Sequence, residues 1–132
     1  MQLTEQIRTF LAAPNPAVIA TLHPDGHPVT VATWYLLDGE RVLVNMDARR
    51  KRLAWLRSDP RVSLTVLADG EWYSHLSLQG KVAEWRDDEE LTDIDRLSRH
   101  YGGDPYPVRD QPRVSAWIEV DRVHAWGPKF RE

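Results

Sequence analysis

The chain has 132 residues, 42% of them hydrophobic and 28% charged, which is enough for one domain built on one core. A formal net charge of -3 argues against nonspecific nucleic-acid binding, which needs a broad basic face. The absence of cysteine excludes disulfides, thiolate metal sites and cysteine nucleophiles. The start, Met1 to Gln6, is polar and lacks a signal-like apolar core. No apolar run approaches the ~20 residues that span a bilayer, so a cytoplasmic protein outside the membrane is expected.

Leu3, Ile7, Phe10 and Leu11 recur at helical spacing, with Thr4 as a cap and Pro14 and Pro16 closing the segment. Ala17 to Leu22 is an apolar run of strand length, and Pro24-Asp25-Gly26 turns it into a second strand predicted over 29–37. Asp38-Gly39-Glu40 then leads into a third strand over 41–46, which predicts a three-strand antiparallel meander. A helix is expected from about Ala48 to Arg57, with Leu53 and Leu56 inward and Asp59-Pro60 as its stop. Val62 to Leu67 reads as a fourth strand. A long fifth strand runs from Trp72 to about Glu84, and Gly80 permits a bend in it.

Asp87 to Arg99 is acidic at its start and carries Leu91, Ile94 and Leu97 at helical spacing, the pattern of a surface helix. Tyr101 to Pro107 reads as an irregular loop. Val114 to Val120 alternates as a last strand that resumes at Val123 to Trp126 after a bulge near Asp121-Arg122. The expected architecture is mainly β (α+β): six antiparallel strands in a small barrel with peripheral helices, one domain over 1–132.

Arg49-Arg50-Lys51-Arg52 falls at the expected start of the second helix. A helix N-terminus carries partial positive charge and exposed N–H groups, so cations are disfavoured there. Asp47 could cap that end, but the capping-box position three residues later is Arg50, not Glu. A bound phosphate reconciles these facts, since helix amides and side chains would share one anion. The competing reading is a solvated basic patch. His23, His27, His75, His100 and His124 show no metal-binding spacing, and no Ser/His/Asp or paired-carboxylate arrangement stands out. The chain therefore looks like one whose chemistry comes from a cofactor, with no metal and no assigned catalytic residue.

The ordered set Asp25-Gly26-His27-Pro28, Val31 to Tyr35, Arg49 to Arg52, Leu56 to Leu64, Pro112-Arg113-Val114 and Val123 to Gly127 resembles the pyridoxamine-phosphate-oxidase-like split-barrel flavoproteins. Within them it is similar to the branch that uses the deazaflavin coenzyme F420. The resemblance implies a split β-barrel and a homodimer, with cofactors in grooves between the subunits. It places Arg50, Lys51 and Arg52 on the cofactor phosphate, and Val31, Ala32 and Thr33 (with Thr30) along the ring edge. Trp34 would line the ring pocket or the dimer seam, or pack in the core. Asn45 would hydrogen-bond the cofactor or serve a structural role.

Two departures from the resemblance matter. Family members that bind FMN commonly carry Ser-Arg-Lys where this chain has Ala48-Arg49-Arg50. The substrate-positioning tail of the true oxidases is also not expected after Gly127-Pro128. The expected activity is hydride transfer between coenzyme F420 and a small electron-poor organic substrate. FMN is the alternative cofactor, and a non-catalytic coenzyme or tetrapyrrole carrier is the alternative from another class. Lys129 or Arg131 could steer an anionic cofactor tail. Trp72, Trp117 and Trp126 are expected in core or interface packing, with the groove as the second reading.

Overall fold

The structure is a computed structural model that describes residues 1–130. It contains one seven-stranded antiparallel sheet with three α-helices. Helix α1 spans Glu5–Ala12, β1 Ala17–Leu22, β2 Pro28–Thr33, β3 Leu36–Asp38, β4 Arg41–Asp47, α2 Lys51–Ser58, β5 Arg61–Leu67, β6 His75–Asp87, α3 Thr92–Gly102 and β7 Arg113–Trp126. No helix among the described residues is long and apolar enough to cross a membrane.

The strand order β2-β1-β5-β6-β7-β4-β3 corrects the expected meander. The single strand expected over 29–37 is two strands, and they form the two opposite edges of the sheet. The break lies at Trp34-Tyr35. Tyr35 is fully buried and donates its hydroxyl to the Ala13 carbonyl at 3.0 Å, while Trp34 stays 37% exposed and stacks on Tyr101. These two tertiary contacts override a β-rich run that local propensity would leave continuous. Two residues span at most ~7 Å, so the sheet must curl until its edges nearly meet. The edges are joined covalently but are not hydrogen-bonded to each other, which leaves a gap in the wall.

Burial follows the expected alternation where one face meets water. In β5, Val62, Leu64 and Val66 point inward and Arg61 and Ser63 outward. The barrel core collects Leu11, Ile19, Val42, Val44, Leu64, Leu76, Leu78 and Ile118, and α1 and α2 add Phe10, Leu53 and Leu56. The bulge expected near Asp121-Arg122 is present: Gln79 pairs with Arg122 but Gly80 pairs with Val120, leaving Asp121 extra. The long strand β6 starts later and ends later than expected, so Asp87 belongs to it rather than to a helix.

Helix α3 begins five residues later than the pattern predicts, and the reason is its cap. Leu91 occupies the N-cap position in the left-handed region (φ 59°) and offers no polar side chain. Asp88 supplies the cap instead, accepting from the Asp93 and Ile94 amides at 3.1 and 2.9 Å. Leu91, Ile94 and Leu97 form a small second cluster with Leu36 and Tyr106. Asp93, 1% exposed, ties the helix to the sheet: it accepts from the Ser115 hydroxyl at 2.7 Å and from Arg86 at 2.8 Å.

Burial pushes the Asp93 carboxyl up. The bonds from Ser115 and Arg86, with the charge of Arg96 added, outweigh that and hold it below the usual carboxylate range. A carboxyl whose folded value is depressed adds stability above its unfolded value, near ~3.9, and that contribution is lost as pH falls below it. Asp93→Asn should therefore melt lower than the unaltered chain at pH 7 but lose less stability on going from pH 5 to pH 3. Thermal melts across that range measure it, and parallel acid slopes for the two proteins would refute it.

Candidate functional site

The gap between the sheet edges opens into a cavity of about 1000 Å³. Its walls come from six places: Pro14, Pro16 and Ala17 before and in β1, Val31 to Thr33 in β2 with Trp34 just after it, Asn45 to Asp47 in β4, the residues that lead into and begin α2, Asp69 after β5, and the face of α3 with the stretch from it to the start of β7. Of the eight residues singled out from the sequence, Val31, Ala32, Thr33, Trp34, Asn45, Arg50 and Arg52 line this cavity. Lys51 is exposed and is not on its wall.

The basic end is built as follows. Asp47, the last residue of β4, accepts the Arg49 amide at 2.9 Å and grips the Arg49 guanidinium with both oxygens, at 3.0 and 2.8 Å. Those bonds and the Arg49 charge hold the Asp47 carboxyl well below the usual carboxylate range. Asp47 thus caps a turn, and α2 starts at Lys51, three residues later than expected. Arg50 is its N-cap and makes no side-chain capping bond. With Asp47 committed to Arg49, no acidic side chain occupies the first turn of α2. Its leading N–H groups are left without a side-chain partner.

Arg52 is a cation disfavoured by its surroundings. Its Nε is buried and has no hydrogen-bond partner among the described residues. Burial, and secondarily the charge of Arg50, push its guanidinium below the ordinary arginine value. A buried donor on a cation without an acceptor costs stability comparable to a lost charged hydrogen bond. Arg50 and Arg52 both line the cavity, and an anion there would offset the mutual repulsion of their charges, so the residues present fit a phosphate-bearing ligand.

The opposite wall is aromatic. Trp34 stacks on Tyr101 (centroids 5.5 Å apart, planes at 12°) and meets Tyr106 edge-on at 6.1 Å. Tyr101 donates its hydroxyl to the Asn15 carbonyl at 2.6 Å, and burial pushes its phenol up to about 12. Its proton is thus held by a structural bond and is poorly suited to general acid work near neutral pH. Strand β2 is a sheet edge, bonded on one side only to β1, so alternate backbone groups of Val31 to Thr33 remain available to a ligand.

Asn45 lies on the wall, but its amide is engaged within the protein, with Asp88, Ser115 and Arg113. Arg113, Tyr101, Tyr106 and Gln111 also line the cavity and were not singled out from the sequence. They come from a helix end, a loop and the first residue of β7, which only the fold brings to β4.

Trp117 is buried away from the cavity, donating to Asp38 at 2.8 Å beneath the guanidinium groups of Arg86 and Arg41. Trp72 and Trp126 are 67% and 58% exposed, so neither packs in the core. Lys129 sits near Ser74, outside the cavity wall, and Arg131 lies outside the described residues. No group of three or more His, Asp or Glu side chains among the described residues is arranged to hold a metal. The arrangement is one for holding a flat ligand with an anionic end: cations and helix amides at one side, stacked rings and an open strand edge at the other.

The family model for pyridoxamine 5'-phosphate oxidase matches residues 3–127. Among solved structures, the fold is similar to an F420 reductase at 24% identity and a TM-score of 0.81, covering 92% of this chain and 98% of that one. It is also similar to a conserved hypothetical protein from Mycobacterium tuberculosis (23%, TM-score 0.68, 96% and 86%). A third likeness is to General Stress Protein 26 from Bacillus anthracis (18%, TM-score 0.67, 96% and 95%). No curated protein matches the chain.

Proposed function

The chain belongs to the pyridoxamine 5'-phosphate oxidase family, and we propose that it is an oxidoreductase that uses the deazaflavin coenzyme F420 in the cavity between its sheet edges. The observation that carries this reading is the pair Arg50 and Arg52 on one cavity wall at the start of α2, with the Arg52 Nε buried and without a partner among the described residues. When bound, the deazaflavin supplies a hydride to, or takes one from, a small electron-poor organic substrate. The protein's own part is binding and exclusion of water. Arg50 and Arg52 bind the phosphate, and the free edge of β2 over Val31 to Thr33 donates to the ring system. Trp34, stacked on Tyr101, forms an apolar wall against which the ring or the substrate lies flat.

The choice of deazaflavin over FMN rests on the residues that lead into α2. Ala48 offers no hydroxyl where FMN-binding relatives commonly have serine, and Arg50 and Arg52 stand two apart in the basic stretch that follows. We further infer that two copies assemble with the cavities at their seam. Val31 and Trp34, at the cavity lip, are each 37% exposed, more than an apolar ligand wall should leave to water.

Parallel titration of the purified protein with coenzyme F420 and with FMN, read by fluorescence, tests the assignment. Tighter binding of coenzyme F420 is expected, with oxidation of the reduced coenzyme by at least one member of a panel of quinones and enones. Preference for FMN would replace the cofactor while keeping the site. Tight binding without turnover across that panel and biliverdin-like tetrapyrroles would replace the enzyme by a carrier. Binding of neither would end the proposal.

A further inference from the structure

Beyond Arg50 and Arg52, a third cation on the cavity wall is held in place by a buried network. Arg113 opens β7 and pairs in register with Asp47, the residue from which the Arg49-Arg50 turn departs. It therefore stands at the same end of the cavity as the α2 start. Its Nε donates to Asn45 Oδ1 at 2.7 Å, and its guanidinium carbon lies 4.8 Å from the centre of the Tyr106 ring. Among the described residues its two terminal nitrogens make no hydrogen bond and no ion pair. With Nε held and one face covered, the free edge of the fork is a two-nitrogen donor of fixed orientation.

The fixing extends inward. The Asn45 Nδ2 donates to Asp88 Oδ2 at 3.1 Å and to Ser115 Oγ at 3.0 Å. Both acceptors are buried, Asp88 at 5% exposure and Ser115 at 0%. Asp88 is itself pinned by the Asp93 and Ile94 amides at the start of α3, and the Ser115 hydroxyl is committed to Asp93. With two acceptors on its nitrogen, the Asn45 amide cannot flip without setting its NH₂ against the Arg113 cation, so Oδ1 must face Arg113. Four buried polar groups are thus ordered around one half-exposed guanidinium. Burying them is justified only if every member is satisfied, and every contact named here is.

We propose that Arg113 is an oxyanion-binding residue of the cavity and that Asn45, set by Asp88 and Ser115, is its positioning residue. The ligand is a planar or tetrahedral oxyanion, carboxylate or phosphate, taken by the two terminal nitrogens of the fork. The proposal rests on the coenzyme reading above, which makes two sources available: the coenzyme phosphate, or the carboxylates of the oligoglutamate tail that follow it.

The test is equilibrium binding of coenzyme F420 and of FMN to the full chain, read by fluorescence without turnover. Arg113→Ala should weaken coenzyme F420 by at least about tenfold, the size of one charge-assisted hydrogen bond. Arg113→Lys should recover only part of that, because the charge returns without the fork. Loss for both cofactors identifies the phosphate as the anion, and loss for coenzyme F420 alone identifies the tail; each supports the proposal.

Asn45→Ala should weaken binding in the unaltered chain but change nothing further once Arg113 is alanine, a coupling that a purely structural asparagine would not produce. If Asn45→Ala does not fold, the Arg113 variants decide alone. Affinity within twofold of the unaltered chain for Arg113→Ala, or fully additive effects of the two substitutions, overturns the proposal. Arg50→Ala with Arg52→Ala separates the two readings. If that pair abolishes binding while Arg113→Ala does not affect it, this inference fails and the coenzyme site stands; if none of these substitutions matters, the coenzyme site itself is wrong.

Discussion

Replacing Arg50 and Arg52 together with alanine should cost ~3–6 kcal/mol of coenzyme F420 affinity, about two to four powers of ten in Kd, from two charged hydrogen bonds at ~1.5–3 kcal/mol each. The same double variant should melt no lower than the unaltered chain. Those two outcomes are linked by one physical cause. In the absence of an anion, Arg52 is a half-buried cation whose Nε has no acceptor among the described residues, and Arg50 repels it. Alanine removes an uncompensated charge, which is neutral or stabilising for the fold, while removing the partner that the ligand needs. A structural arginine would behave in the opposite way, lowering the melting temperature and leaving affinity alone. Fluorescence titration beside a thermal melt measures both. Retained affinity in the double variant would remove the anion site and, with it, the oxidoreductase reading.

That cluster was legible in the chain because it breaks a local rule. Cations crowd a helix start where acids are favoured, and no tertiary knowledge is needed to notice it. The neighbouring details were not legible. Asp47 looked like a helix cap, but its carboxylate is drawn to Arg49 two residues on, and this Asx-type turn delays α2 to Lys51. The break at Trp34-Tyr35 was invisible for a different reason. Both residues suit a strand, and tertiary contacts, the Tyr35 hydroxyl to Ala13, the Tyr35 amide to Tyr101 and the Trp34 ring on Tyr101, separate β2 from β3. That break is what makes two sheet edges and hence the cavity.

Arg113 stands out in the sequence only as part of Pro112-Arg113-Val114 in the family resemblance, and nothing local marks it as a site residue, since one arginine at a strand start is ordinary. Its position opposite Asp47 comes from pairing between β4 and β7, separated by more than sixty residues of chain. Asn45 could be read either way beforehand, and its three partners lie on β6–α3 and β7, which no local pattern connects to β4. The alternation of β5, by contrast, followed directly from one buried and one wetted face, whereas β7, expected to alternate from Val114 to Val120, is buried at every position from Val114 to Ile118, because both of its faces are covered there.

Gly80→Ala should destabilise the fold by about 3 kcal/mol or more, lowering the melting temperature by roughly 10 °C in a chain of this size. Gly80 lies in β6, between β5 and β7, paired with Val62 on one side and Val120 on the other. The extra residue Asp121 in β7 brings the Glu119 carbonyl so close that a Cβ on residue 80 would lie 2.2 Å from its oxygen and 3.0 Å from Ile118 Cγ2. The first obstacle is backbone and cannot rotate aside. Relief requires β6 and β7 to slide or part, and both are held by neighbours on their far sides.

The strain would travel toward the cavity, because the same β6–β7 ladder runs on to Asp87 opposite Val114, where the Asp88 amide donates to the Arg113 carbonyl at 2.9 Å. Gly102→Ala is the matched control. Gly102 ends α3 with nothing within 4 Å of a new Cβ and no positive φ, so alanine there should stabilise by up to ~1 kcal/mol through the unfolded chain. Melts of the two variants give opposite signs if the close approach at the bulge is what bends the barrel. A Gly80→Ala protein melting within ~2 °C of the unaltered chain, well under 1 kcal/mol, would mean that the ladder can yield at that point and that the bend is not set by glycine.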